Sequence, residues 1–73
     1  MLAAIVGAVS GVSGKCPNLS FSCSSYLIVT DKSTKFDRIS CGDVKGGRVV
    51  EVIGVVDSSG VVHASQVSKV GED

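Results

Sequence analysis

The strongest constraint on this 73-residue chain lies between Arg48 and Val70. Six of the nine residues from Arg48 to Val56 are Val or Ile. A polar link, Asp57-Ser58-Ser59-Gly60, follows, and a second valine-bearing run occupies Val61 to Val70. Residues branched at Cβ are stiff at χ1 and suit a pleated sheet. Two such runs around a short polar link that ends in Gly read as a β-hairpin. Because side chains alternate along a strand, Val50, Val52 and Val56 share one face with Gly54, and Val49, Glu51, Ile53 and Val55 share the other. The glutamate marks the second face as the wetter one. On the return strand, Val62 and Ala64 point inward and His63 and Ser65 outward, while Val67 falls out of phase. That break in phase predicts a β-bulge at Ser65 or Gln66.

The rest of the chain is also cut into strands by turn residues. Leu2 to Val12 is apolar but carries Gly7 and Gly11, each worth about 1 kcal/mol against a helix. A strand bent at the glycines is the better reading. Ser13 to Asn18 reads as a loop, and Leu19, Phe21 and Cys23 alternate with Ser20 and Ser22 as a half-buried strand. Ser24-Ser25 turns the chain, and Tyr26 to Thr30 is apolar enough for a buried strand. A further strand follows around Thr34, Lys35 and Phe36. Residues 37–47 form a connection anchored by Cys41 and Val44, which ends in the turn Lys45-Gly46-Gly47.

The expectation is a single all-β domain over residues 1–73, with residues 71–73 as a disordered tail: a small five- to six-stranded barrel carrying a C-terminal β-hairpin. Closure into a barrel removes exposed strand edges, and one core is all that so short a chain builds.

The pattern Gly7-Ala8-Val9 with Val12, Cys16-Pro17-Asn18-Leu19-Ser20-Phe21, Thr30, Thr34 and Phe36 continues in order through Cys41, Gly47, Val50-Glu51-Val52, Gly54, Gly60, Ala64 and Val67. In this the chain resembles the bacterial family of small extracytoplasmic β-barrel domains catalogued as domain of unknown function 5666. The resemblance runs from about Gly7 to Val67. It implies an OB-like barrel in an exported or lipid-anchored protein, and no assigned activity. The family tends to carry a cysteine pair at the loop positions of Cys16 and Cys41, so the resemblance implies a disulfide there. Reduced thiols, or a Cys16–Cys23 bridge, remain alternatives. Cys23 departs from the pattern by standing where the family more often has valine. Ile53 and Val55 depart from it by standing where polar residues are common.

Location follows from the same resemblance. No basic residue precedes Leu2–Val6 and no cleavage motif closes that run, so the expectation is an extracytoplasmic protein, periplasmic or secreted, whose export signal lies outside this sequence. A cytoplasmic location stays open.

The chemistry-bearing residues point away from catalysis. Cys23 falls on the inward face with Leu19 and Phe21, where a thiol behaves as a small hydrophobe. Cys16, Cys23, Cys41 and His63 lack the paired short spacing of a zinc site, so no metal and no cofactor is expected. Lys45-Gly46-Gly47-Arg48 lacks the spacing and following helix of a phosphate loop and reads as a turn. His63 and Glu51 read as a solvated pair across the hairpin.

Seven basic and seven acidic residues cancel, and aromatics are limited to Phe21, Tyr26 and Phe36. Neither the field nor the stacking platform of a nucleic-acid binder is present. Leu2–Val6 is far too short to span a bilayer, so no membrane insertion is expected.

What remains is apolar excess on the outside of the hairpin. Val49, Ile53, Val55 and Val61 are placed to form an association surface for a second copy or a protein partner, unless the chain's own N-terminal strand covers them. The alternative function is binding of a small molecule, metal ion or oligosaccharide at the barrel mouth by Tyr26, Asp43, Glu51 and His63.

Overall fold

The computed structural model describes residues 1–71. Six strands form in chain order: β1 Leu2–Lys15, β2 Asn18–Cys23, β3 Tyr26–Val29, β4 Lys35–Asp37, β5 Val49–Val56 and β6 Val61–Lys69, with one turn of 3₁₀ helix at Cys41–Asp43. β2, β1, β5 and β6 follow one another in antiparallel pairs, and β3 joins antiparallel to β2. β3 also pairs parallel with β6, Leu27 opposite Val61 and Val29 opposite His63, which closes a five-stranded barrel. β4 is the extra strand. It lies parallel to β6 further along the same edge, Lys35 opposite Gln66 and Asp37 opposite Ser68. The architecture is the expected all-β, OB-like barrel with the C-terminal hairpin built from β5 and β6.

β1 is longer than its apolar pattern suggests. Its first half pairs with β5 through Ala8, and its second half pairs with β2 from Val9 onward. The register shifts between Ser10 and Ser13, where Gly11 adopts a φ of 63° that side-chain-bearing residues rarely take. The expected loop at Ser13–Asn18 therefore shrinks to a reversal at Cys16-Pro17, whose peptide bond is cis. Ser13, Gly14 and Lys15 remain in the strand because Ser20, Leu19 and Asn18 pair with them, and Ser13 Oγ lies 2.8 Å from Ser20 Oγ. Backbone pairing overrides the absence of an apolar signal there.

The interior is filled by the inward positions of every long strand. Ile5 and Val9 come from β1, Leu19, Phe21 and Cys23 from β2, Ile28 from β3, Val50 and Val52 from β5, and Val62, Ala64 and Val67 from β6. Each fully buried valine is worth about 1.5–3 kcal/mol of transfer free energy. The predicted bulge is present: Gly54 pairs with Ala64 and Ile53 with Gln66, which leaves Ser65 as the extra residue and returns Val67 to the core. The absence of a side chain at Gly54 is required here, because a Cβ would run into the His63 carbonyl and come within 2.9 Å of Ala64 Cα.

The expectation that Tyr26–Thr30 is buried on both faces is corrected. Ile28 and Thr30 are buried, but Tyr26 and Leu27 are 44% and 47% exposed. Leu27 is exposed because β3 is a wall of the barrel with solvent behind it, whereas Tyr26, opposite buried Cys23, is exposed as the first residue of the strand.

Two buried threonines, which apolar patterning does not reveal, hold the passage from β3 to β4. Thr30 Oγ1 accepts from the Leu19 amide at 2.9 Å and donates to the Pro17 carbonyl at 2.6 Å. Thr34 Oγ1 donates to the Ala64 carbonyl at 2.7 Å and accepts from the Asp31 amide at 2.9 Å. The connection after β4 is anchored by Val44, as expected, and also by Ile39, which is buried. Gly71 is exposed, and the rest of the tail expected to be disordered lies outside the described residues.

Candidate functional site

Cys16, in the reversal between β1 and β2, is bonded to Cys41, in the 3₁₀ turn, with Cα atoms 5.9 Å apart and a sequence separation of 25. The bridge ties the long connection before β5 to the opposite end of the first strand pair. Cys23 is the free thiol. It is buried in the core, and that burial pushes its pKa up, with a smaller opposing effect from a hydrogen bond with Ser24. A protonated thiol among Leu19, Phe21 and Ile28 acts as a packing group.

The residues proposed for a barrel-mouth site lie on four different elements. Tyr26 opens β3 opposite Cys23, and Asp43 lies in the 3₁₀ turn, where Ser40 Oγ donates to its Oδ2 at 2.9 Å. Glu51 stands in the middle of β5 opposite Ser68, and His63 stands opposite Val55. Glu51 and His63 are therefore not cross-strand partners, which corrects the pairing expected from sequence. The histidine turns instead to the hairpin link, with His63 Nε2 2.8 Å from Asp57 Oδ2.

Asp57 organises that link. Its Oδ1 accepts from the amides of Ser59 at 2.8 Å and Val61 at 3.1 Å, and Gly60 completes the reversal at a φ of 85°. The His63 ring, followed by those two amides, holds the Asp57 carboxyl below the usual carboxylate range. In the sequence the signal for this role is the position of Asp57 at the start of the polar link, since an aspartate side chain there bonds to the backbone two residues on. Among the described residues, no three of His, Cys, Asp and Glu cluster closely enough to hold a metal ion, and no cavity opens.

The outward-facing apolar residues, by contrast, come together. Val49 and Val55 are 42% and 51% exposed on β5, with half-buried Ile53 between them. The N-terminal strand does not cover this face. It lies beside β5 in the same sheet, placing Leu2 opposite Val55, Ala4 opposite Ile53 and Val6 opposite Glu51. Leu2 and Val6 are themselves 73% and 53% exposed. A barrel wall of two strands thus presents Leu2, Ala4, Val6, Val49, Ile53 and Val55 outward, with Glu51 as its one charged side chain. Val61, assigned to the same surface by sequence, is half-buried on β6 opposite Leu27 and belongs to the neighbouring wall. The sequence signal for the β1 half was visible in a run that is apolar at every position, though not its place beside β5.

The family model described as Domain of unknown function (DUF5666) matches residues 6–68, which takes in part of every strand of the barrel. The chain belongs to this family. No curated protein and no solved structure matches it. For this DUF5666 domain the disulfide is the feature that bears on location, since such bridges persist in oxidising compartments. No helix among the described residues is long and apolar enough to cross a membrane.

Proposed function

We propose that this domain is a non-catalytic, exported association module that meets a second copy of itself, or an equally apolar protein surface, through the outward wall of β1 and β5. One observation carries the reading: Leu2, Val6, Val49 and Val55 are exposed side by side, although the barrel interior is already filled by other residues. Apolar side chains placed outside a complete core are exposed without return unless something covers them, and contiguous patches of that kind mark association surfaces. The Cys16–Cys41 bridge supports an oxidising setting, the periplasm or the exterior of the cell. The zero formal net charge removes long-range repulsion between copies.

The test is the molar mass of the oxidised protein by light scattering after size exclusion, compared with Ile53→Lys and Val55→Lys. Because both side chains point away from the core, the substitutions are expected to leave the melting temperature nearly unchanged and to shift the protein toward the mass of one chain. A protein that is strictly monomeric at high concentration, with both lysine variants indistinguishable from it, removes the reading.

A further inference from the structure

β1 has one edge that nothing in the barrel occupies. In an antiparallel ladder, alternate residues exchange hydrogen bonds with the partner strand and the residues between them aim their amides the other way. Along β1 the phase is set at both ends. The Val56 amide donates to the Met1 carbonyl at 2.7 Å, and the Val9 amide donates to the Arg48 carbonyl at 2.8 Å. Carried through the continuous register from Leu2–Val55 to Ala8–Val49, this aims the backbone groups of Ala3, Ile5 and Gly7 at β5 and those of Leu2, Ala4 and Val6 away from it. Ser24 confirms the direction, since its hydroxyl donates to the Val6 carbonyl from that far side at 2.8 Å.

β2 would be the neighbour there, but its pairing with β1 begins only at Val9. Among the described residues, the Ser24 hydroxyl is the group that meets this edge between Leu2 and Val6. The N–H and C=O groups of Leu2 and Ala4 are left open beside exposed apolar side chains.

Natural edges of this kind are blunted by lysine, proline, a bulge or an inward charge. Residues 2–14 carry no charged side chain and no proline, and the bulge at Ser10–Ser13 lies well past the open stretch. We infer that this edge accepts an extended strand, and that the strand is the same segment of a second copy, paired antiparallel about a two-fold axis at Ala3. In that register Leu2 of each copy faces Ala4 of the other. The two open N–H groups and two open C=O groups of one edge then meet the identical set on its mate, as an isologous contact requires. Ser24 limits the pairing, because its hydroxyl already stands at Val6.

The side chains brought together on the outer face, Leu2 and Ala4, are apolar on both sides, and no like charges are juxtaposed. The proposal goes beyond association through the outer wall: edge pairing joins two walls side by side and leaves their faces free, so each contact is testable separately.

The decisive variant is Ala4→Pro. Proline is tolerated on an edge strand where its missing N–H faces outward, so this change removes a donor from the open edge and none from the β5 ladder. Sedimentation across a concentration series, on the oxidised full chain, is expected to show a dimer whose dissociation constant rises at least tenfold in Ala4→Pro. Residue-resolved amide exchange of the unaltered protein gives a second measurement that does not depend on any variant folding. The Ala4 amide is expected to gain protection as concentration rises, while Ala3 and Ile5 stay protected throughout. An Ala4 amide that exchanges at one rate at all concentrations overturns the proposal. So does an Ala4→Pro protein that associates as well as the parent. Weakening by Ile53→Lys with no effect of Ala4→Pro leaves the wall as the contact and sinks the edge; the reverse pattern sinks the wall and keeps the edge.

Discussion

Removing the Cys16–Cys41 bridge should cost this domain a large part of its stability. The bonded cysteines are 25 positions apart, and the chain-entropy relation for a loop of that length gives about 3.5 kcal/mol at 25 °C. A 73-residue domain at ordinary stability per residue has roughly 4–11 kcal/mol in all. The loss therefore removes between about a third and nearly all of that stability. With a urea dependence of about 1 kcal/mol per molar for so small a protein, the midpoint should fall by roughly 3 M.

The assay is urea unfolding followed by far-ultraviolet circular dichroism, since the chain has no tryptophan to report by fluorescence. Two routes to the unbridged state separate the cross-link from side-chain packing at half-buried Cys41: chemical reduction, and the double variant Cys16→Ser with Cys41→Ser. Thiol counting by intact mass after alkylation in denaturant should find one free cysteine before reduction, Cys23, and all three after it. A midpoint shift below about 0.5 M by both routes would refute the entropic reasoning, because it would mean the unfolded chain is already as constrained without the bond.

Two further changes probe the hairpin. Gly54→Ala forces a Cβ against the backbone of His63 and Ala64 at the bulge and is expected to cost about 1–3 kcal/mol by urea unfolding, whereas Gly42→Ala, with open space around it, should be close to neutral; equal effects would contradict the close approach. The Asp57 carboxyl titrates below its unfolded value of about 3.9, so its stabilising effect is full above that pH and is lost as pH falls through the folded value. Melting temperatures of the parent and Asp57→Asn should differ at pH 6 and converge toward pH 2, and a difference that persists at pH 2 would assign the effect to something other than ionisation.

Much of this fold is legible in the residues because it rests on local rules. β-branched runs with period-two alternation define β5 and β6, the polar link that opens with Asp57 and ends with Gly60 defines their reversal, and the phase break at Val67 gives the bulge at Ser65. The alternation of Leu19, Phe21 and Cys23 likewise places β2 and its inward face. The misses occur where long-range contacts decide. Ser13 to Lys15 look like a loop and are strand because β2 holds them. Leu27 looks buried and is exposed because nothing stacks behind β3. Thr30 and Thr34 carry no apolar signal, and their role as buried hydrogen-bond anchors between distant segments is set by the backbone groups that the fold brings to them.

The candidate surface divides along the same line. Which β5 side chains share a face follows from the sequence alone, since alternation is a property of a single extended strand. Whether that face is covered does not follow, because it depends on whether β1 lies on the hairpin or beside it. An apolar run pairs equally well by stacking or by hydrogen-bonding at an edge, and only barrel closure by β3 on β6 leaves β1 in the second arrangement. The open backbone groups of Leu2 and Ala4 arise in the same way, from β2 starting to pair at Val9. No residue type marks that starting point, and the register of the assembled sheet decides it.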